Sequence, residues 1–277
     1  MSAGDLSALL IALREGVEMT LVVGIVLAYL AQIGARRAAW WAWAGVGAAA
    51  GVSLLFLGVL NALEAETAGT AQLVFEGATL LLAAAFLTWM IFWMLRQSRH
   101  LRAELQRGVS DALAAGGAAW GVFFLVFFAV AREGVETALL LFAAPGEGKL
   151  LGTLVGFAGA IAIGVLIYAF GRRLDLRTFF RVTGLALVIF AAGLVTHGVH
   201  ELVEAGLAGG PTIFDLSDAL PDKSGLGAVL RTLLGYSSDP TLVEVLAYVA
   251  YYAVVGALSR TRFAGSPLVV AEAAHPA

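Results

Sequence analysis

Two identical pentapeptides place acidic and basic side chains inside apolar stretches of the chain. The letters Arg-Glu-Gly-Val-Glu occur at residues 14–18 and again at residues 132–136. On a helix, an arginine and a glutamate four residues later share one face, so each arginine can pair with the second glutamate of its motif. Carboxylate oxygens that converge in this way are ligands for hard metal cations. The ionisable residues of the two motifs are Arg14, Glu15, Glu18, Arg132, Glu133 and Glu136.

The balance of charge in these motifs favours a cation site. A charged side chain at the centre of a membrane helix costs about 2.5–3.5 kcal/mol on the insertion scale, so six of them need partners or a function. Interhelical ion pairs that only hold the helices together are the structural alternative, but such pairs need no excess of acid. Four glutamates against two arginines leave two negative charges without a basic partner. We therefore expect a multivalent cation between the two motifs.

The composition predicts an integral membrane protein. Of the 277 residues, 60% are hydrophobic and 13% are charged, and the mean hydropathy is +0.90. Soluble domains carry about 25% charged residues. The net charge of -3 and the scattered basic residues give no sign of a nucleic-acid partner. Because the chain has no cysteine, any bound metal must be held by oxygen or imidazole ligands.

Seven apolar segments are long enough to cross a lipid bilayer, which takes about 20 residues in a helix. The sequence therefore predicts an all-α, polytopic membrane protein with seven transmembrane helices. The predicted spans are Leu6–Ile33, Ala38–Leu63, Ala71–Leu95, Ala118–Phe142, Leu150–Phe170, Val182–Leu202 and Leu242–Ser259.

The positions of the basic residues predict the orientation. Twelve arginines fall on one side of this topology, which the positive-inside rule assigns to the cytoplasm. The N-terminus is then outside and the C-terminus is cytoplasmic, in a bacterial cytoplasmic (inner) membrane. These arginines are Arg36, Arg37, Arg96, Arg99, Arg102, Arg107, Arg172, Arg173, Arg177, Arg181, Arg260 and Arg262. All six tryptophans lie at the same side, as in an interfacial aromatic belt.

The duplicated pentapeptide indicates an internal repeat. Since the first predicted span starts outside and the fourth starts inside, a three-helix repeat must be inverted, with its pseudo-two-fold axis in the membrane plane. We expect the two motifs to face each other, with a glycine in each at the crossing of their helices. The predicted single permease domain, 1–277, divides into a first repeat at about 1–107, a second at 108–205, an outer loop at 206–241 and a seventh helix at 242–260.

A second group of possible metal ligands lies near the outer ends of the third and sixth spans. We expect these residues to form an access path or a secondary metal site, because imidazole together with carboxylate suits iron. The residues are Glu76, His197, His200, Glu201 and Glu204. A metalloprotease motif, His-Glu-x-x-His, is the rival interpretation, but a glutamate at position 204 replaces the second histidine.

The duplicated Arg-Glu-x-x-Glu in the first and fourth spans resembles the oxidase-dependent iron permease family. Further matching segments are Phe75-Glu76-Gly77, Leu87-Thr88-Trp89-Met90 and His197-Gly198-Val199-His200-Glu201-Leu202. The resemblance implies uptake of iron as a ferric ion. It also implies a separate extracytoplasmic iron oxidase or iron-delivery protein as the partner. On this basis the four motif glutamates are metal ligands, and Arg14 and Arg132 orient them and balance their charge.

Three alternatives to an iron permease differ in the transported ion or in the activity of the protein. The first is a permease for another cation, such as lead or manganese, since carboxylates alone do not select among these ions. The second is the intramembrane metalloenzyme considered above. The third is a scaffold that anchors an oxidase without moving an ion, which would leave the charged motifs without a function. Iron is expected as the transported substrate, with no bound organic cofactor and with the lipid bilayer as the surrounding solvent.

Overall fold

The computed structural model describes residues 2–97, 101–114, 118–146, 148–170, 176–222 and 225–263. Three of the arginines used to predict the orientation, Arg99, Arg172 and Arg173, lie outside these residues. Within the described residues the secondary structure consists of helices and one isolated β-bridge between Thr212 and Thr241. The helices are α1 (Ala3–Gln32), α2 (Ala38–Glu66), α3 (Thr70–Gln97), α4 (Leu101–Ala114), α5 (Ala118–Ala143), α6 (Lys149–Phe170), α7 (Leu176–Glu204), α8 (Gly225–Leu234) and α9 (Leu242–Phe263).

Each predicted span falls on one long helix, and the all-α prediction is confirmed for the described residues. Five helices are long and apolar enough to cross a membrane, namely α2, α3, α6, α7 and α9. The other two predicted spans are α1 and α5, which carry the charged pentapeptides. The count of seven transmembrane helices therefore stays a prediction.

Two short helices add to the seven. Helix α4 was not expected from the sequence, and it packs against α1 and α5 with Leu105 and Val109 buried. Helix α8 lies in the predicted outer loop. It contacts α7 and α1.

Three helix pairs form the body of the protein. Helix α1 packs along α6, α2 packs along α5, and α3 packs along α7, while α1 and α5 cross each other between these pairs. Helix α9 lies against α7. This arrangement brings the two charged pentapeptides, one on α1 and one on α5, to the centre of the bundle.

Two apolar clusters lie on either side of the pentapeptides. One joins α1, α3, α5 and α7, and the other joins α1, α2, α4 and α5. On each of α1 and α5 the charged motif separates the residues of one cluster from those of the other. Members of the first cluster include Ile11, Leu87, Leu140 and Leu194, and members of the second include Val26, Ala42, Val109 and Val126. The motifs are therefore held between two closely packed apolar layers.

The prediction that the motif glycines lie at the crossing of α1 and α5 is wrong. A methyl group added at Gly16 would lie 2.7 Å from Cβ of Ala160 and 3.0 Å from the ring of Phe157, both on α6. A methyl group at Gly134 would collide with Ser53 on α2. The glutamates occupy the helix faces that meet at the α1–α5 crossing, so each glycine, one position after the first glutamate, is turned toward a different neighbour.

The start of α1 is fixed by side-chain hydrogen bonds. Ser2 and Asp5 form a capping box, in which the backbone N–H of Asp5 donates to the Ser2 hydroxyl and the Ser2 N–H donates to the Asp5 carboxylate. The other oxygen of Asp5 accepts the backbone N–H of Gly152 at 2.9 Å. These contacts tie α1 to α6 and so position the pentapeptide that follows.

Candidate metal-binding site

The crossing of α1 and α5 brings three of the four motif glutamates together. Glu15, Glu133 and Glu136 each offer a carboxylate oxygen, and these oxygens all lie within 4.8 Å of one another. All three side chains are buried. This is the one group of three or more His, Asp or Glu ligands found at such distances within the described residues. Glu18 lies beside the group and is partly buried.

Arg14 holds the two glutamates of α1. Its Nη1 donates to Oε1 of Glu15 at 2.6 Å, and its Nη2 lies 3.2 Å from Oε1 of Glu18. The guanidinium also contacts Sδ of Met90 on α3, at 3.6 Å. Only 2% of the arginine side chain is exposed, so the two carboxylates, and not water, stabilise its positive charge. The predicted pair between Arg14 and Glu18 is confirmed.

Arg132 holds the glutamates of α5 in a more open setting. Its Nε donates to Oε1 of Glu136 at 2.9 Å and lies 4.0 Å from Oε1 of Glu133. The guanidinium carbon lies 3.9 Å from the centre of the Trp93 ring on α3, a cation–π contact. The side chain of Arg132 is 35% exposed, in contrast to that of Arg14. The predicted pair between Arg132 and Glu136 is confirmed.

Four buried carboxylate oxygens of the two motifs lack a hydrogen-bond donor. One is Oε1 of Glu18, which is 3.2 Å from Nη2 of Arg14 in an ion pair, and the other three are the Oε2 atoms of Glu15, Glu133 and Glu136. A buried polar atom without a partner is costly, and native structures contain few of them. One cation among the three glutamates would satisfy oxygens from both helices. The donor set therefore fits a hard or borderline metal ion held by oxygen.

The second group of predicted ligands lies where α7 ends and α9 begins. Nδ1 of His200 is 3.1 Å from Oε1 of Glu244, and its Nε2 is 3.3 Å from Oε1 of Glu204. Nδ1 of His197 lies 2.9 Å from the carbonyl oxygen of Gly193. The contact with Glu244 joins His200 to α9, which was not expected from the sequence, whereas the contact of His197 lies within α7.

The other two predicted residues of this group stand apart from the histidine contacts. Glu76 on α3 accepts a hydrogen bond from Nε2 of Gln72 at 2.7 Å, within its own helix. Glu201 is partly buried on α7, next to His200 in the chain. The structure thus brings His200 and Glu204 together and gives Glu76 a partner in its own helix.

Three residues at these sites were missed from the sequence. Met90 and Trp93 contact the two arginines, but an apolar residue in a membrane helix carries no signal of such a role. Glu244 is only 1% exposed, and it lies inside the predicted seventh span. An ionisable residue within a predicted span was the signal that should have identified it.

Comparisons with known proteins identify the family of the chain. The sequence profile of the iron permease FTR1 family matches residues 5–274. The chain belongs to the iron permease FTR1 family. It is thus an integral membrane protein of a permease family, a transporter of iron and not an enzyme, and the metalloprotease interpretation is set aside.

Relatives of this iron permease cover most of its length. A protein named ferrous iron permease EfeU from Escherichia coli O6:H1 is 36% identical over 249 residues, which are 87% of this chain and 90% of the relative. A protein of the same name from Yersinia pestis is 37% identical over 252 residues, which are 87% of this chain and 88% of the relative. No solved structure matches the chain.

Proposed function

We propose that this permease moves iron inward across the cytoplasmic membrane through the carboxylate cluster at the crossing of α1 and α5. The observation that carries the proposal is the set of unpartnered, buried oxygens on Glu15, Glu133 and Glu136 within one metal-sized space. Glu18 supplies a fourth carboxylate at its edge. Arg14 and Arg132 each hold a glutamate of the cluster by an ion pair, which orients the ligands and balances part of their charge.

The charge of the cluster favours a divalent ion. With all six side chains ionised, four glutamates and two arginines carry a formal charge of −2, which Fe²⁺ neutralises. The relatives from Escherichia coli and Yersinia pestis are named ferrous iron permeases, which supports the same choice. Ferric iron delivered by a separate extracytoplasmic oxidase, which the family resemblance implies, is the alternative that the uptake experiment below separates. Lead and manganese are tested there as competing ions.

An inverted repeat of two three-helix units is supported by equivalent helix contacts in the two halves. Helix α1 corresponds to α5 when residue numbers are raised by 118, as the two pentapeptides require. The contact of Gly16 with Ala160 then has its counterpart in the contact of Gly134 with Ser53. Ser53 and Ala160 differ by 107 positions, which defines the matching offset between α2 and α6.

The same offset relates the third helix pair. Gly77 on α3 faces Gly198 on α7. Adding 107 to the number of Gly77 gives Gly184, and subtracting 107 from the number of Gly198 gives Ile91. Gly184 and Ile91 also face each other. Equivalent contacts at two crossings favour two inverted units that meet at the carboxylate cluster. Alternating access would then be a rocking of one unit against the other around the ion.

Seven transmembrane helices with a cytoplasmic C-terminus complete the proposed topology. Helices α1 and α5 contain 30 and 26 residues, more than the roughly 20 needed to span the hydrocarbon. Their charged residues pair within the bundle and need not face lipid. Trp41 and Trp120, at the starts of α2 and α5, lie with ring centroids 5.0 Å apart, which supports an aromatic belt at the cytoplasmic side.

The first experiment is radio-iron uptake by cells that express the wild-type chain or the Glu18→Gln/Glu136→Gln variant. Ferrous and ferric iron are supplied separately, and lead and manganese are added as competitors. A matched control is Glu64→Gln/Glu66→Gln, which removes two glutamates near the end of α2. We expect the site variant to lose uptake while the control retains it. Uptake that is unaffected by the site variant would refute the carboxylate route and leave the motifs as ion pairs between helices.

A further inference from the structure

A second group of possible metal ligands lies at the end of the bundle where α7 ends and α9 begins. His200 and Glu244, 44 positions apart in the chain, approach each other there, with 3.1 Å between Nδ1 and Oε1. Glu244 is 1% exposed, and its Oε2 is buried without a hydrogen-bond donor. A buried carboxylate with one free oxygen beside an imidazole needs an explanation beyond helix packing.

Two adjoining cavities meet at Glu244. The smaller has a volume of about 10 Å³, the space of roughly one water molecule or one ion. The larger has a volume of about 300 Å³ and is lined mainly by residues of the outer loop and of α8. The side chains that line the smaller cavity include Thr196, His197, His200, Arg231, Ser237 and Glu244. The larger cavity extends from the outer loop to Glu244.

The spacing of His200 and Glu244 suits a bound metal ion. Two neighbouring ligands in octahedral geometry, each about 2.1 Å from the metal, lie about 3.0 Å apart. The observed 3.1 Å between nitrogen and oxygen is close to this value. A metal ion can thus replace the proton that the two atoms now share, with little movement of either side chain.

His197 has a ring nitrogen free to join them. Because the carbonyl oxygen of Gly193 can only accept, Nδ1 of His197 must donate the hydrogen bond of 2.9 Å between them. In the neutral ring Nε2 then carries a lone pair, and metal-binding histidines are typically held in this way by a backbone carbonyl. His197, His200 and Glu244 do not all lie within 4.8 Å of one another, so an ion would draw His197 closer or reach it through a water.

The positive charge at the cavity wall is already paired. Arg231 on α8 lines the smaller cavity, and its Nη1 lies 2.5 Å from Oδ2 of Asp222. This ion pair offsets part of the positive charge that the arginine brings to the cavity wall. Glu204, which is 54% exposed, adds a further carboxylate on the other nitrogen of His200.

We infer that His200, Glu244 and His197 form an outer capture site that selects first-row divalent transition ions before they reach the central cluster. The central cluster offers only carboxylate oxygens, which also suit Mg²⁺, Ca²⁺ and Mn²⁺, whereas imidazole ligands favour iron and its neighbours in the series. Selection against the abundant hard cations therefore falls to the outer site. The inference rests on the proposed function, since it assumes that the captured ion passes to the central glutamates.

The test is the concentration dependence of Fe²⁺ uptake in cells expressing the full chain. We expect His200→Gln and Glu244→Gln each to raise the KM for Fe²⁺ about tenfold or more, as loss of metal-site interactions does. Mg²⁺ should then inhibit uptake at lower concentrations than in the wild type. Asp218→Asn, which removes an exposed carboxylate of the same outer loop, is the control and should leave the KM unchanged. An unchanged KM in both site variants would overturn the inference while leaving the central route intact.

A binding measurement covers the case in which these variants fold poorly. Purified full-length protein carrying Glu18→Gln/Glu136→Gln, which disables the central cluster, is titrated with Co²⁺ and followed by visible absorption. We expect one bound Co²⁺ with imidazole coordination, which a further His200→Gln substitution removes. A Co²⁺ spectrum that is identical with and without His200 would overturn the outer site. Loss of uptake in the central variant with Co²⁺ still bound outside would support both proposals separately.

Discussion

The guanidinium of Arg132 lies over the ring of Trp93, with 3.9 Å between its central carbon and the ring centroid, whereas the equivalent guanidinium of Arg14 contacts the sulfur of Met90. The two arginines occupy the same position in identical pentapeptides, yet 35% of one side chain is exposed and 2% of the other. The central cluster is thus closed around Arg14 and more open around Arg132. The two pentapeptides are identical in sequence but differ in environment.

Removal of Arg14 should destabilise the protein more than removal of Arg132. Arg14→Ala leaves Glu15 and Glu18 without their buried partner, and breaking a buried ion pair costs about 3–5 kcal/mol. Arg132→Ala acts at a partly exposed site where solvent can compensate, so we expect a smaller loss. Thermal unfolding of the purified variants in detergent, together with their level in the membrane, measures both. Equal losses of stability in the two variants would contradict the finding that Arg14 is the more deeply buried of the two arginines.

Trp93 should stabilise the orientation of Arg132. We expect Trp93→Leu to cost about 0.5–2 kcal/mol, the range of a cation–π contact from exposed to desolvated settings. Trp40→Leu is the control, because Trp40 is 76% exposed. The variants are compared by thermal unfolding, and Trp93→Leu is measured again in an Arg132→Ala background. If Trp93→Leu costs no stability in the Arg132→Ala background, the contact between Trp93 and Arg132 accounts for the loss in the wild-type background. If the loss persists without Arg132, packing of the indole ring accounts for it.

The local parts of the site could be predicted from the sequence, and the non-local parts could not. Pairs such as Arg14 with Glu18 depend on the helix repeat alone, so their spacing was sufficient. The neighbours of Gly16 depend on how α6 is placed against α1, which no spacing within the motif defines. Glu244 reaches His200 across 44 positions, and only the packing of α9 on α7 brings them together.

The fold shows the same division. Hydropathy located the long helices, because burial in hydrocarbon demands an apolar segment of a fixed length. Hydropathy did not predict helix α4, because its apolar residues, such as the buried Leu105 and Val109, lie on one face. Amphipathic segments of this kind do not raise the mean hydropathy of a window, so a search for spans passes over them.

The glycine of the first pentapeptide should tolerate no side chain, although a second glycine on the same helix should. We expect Gly16→Ala to destabilise the protein by about 1–3 kcal/mol, as overpacking does, because Cβ of Ala160 cannot rotate away. At Gly24 an added methyl group meets nothing within 4 Å, so Gly24→Ala should stabilise α1 by about 0.5–1 kcal/mol. Shifts of the unfolding temperature with opposite signs relative to the wild type would bear this out. A stabilising Gly16→Ala would refute the close approach of α1 and α6.

The crossing of α3 and α7 allows a test by coupled substitutions. A methyl group at Gly77 would lie 2.9 Å from the carbonyl oxygen of Gly198, and one at Gly198 would lie 3.0 Å from the carbonyl oxygen of Gly77. Both contacts are with backbone atoms, which move only if the helices separate. We expect each single Gly→Ala change to cost about 1–3 kcal/mol in thermal unfolding.

The double variant Gly77→Ala/Gly198→Ala should then lose less stability than the two single losses added together. The first methyl group already separates α3 from α7, so the second meets a wider gap, and neighbouring sites that share one displacement are coupled by about 0.5–3 kcal/mol. The pair Gly16→Ala/Gly77→Ala acts at two different crossings and should be additive. Strict additivity at Gly77 and Gly198 would mean that each methyl group is accommodated locally, and the two helices would not move as rigid bodies at this crossing.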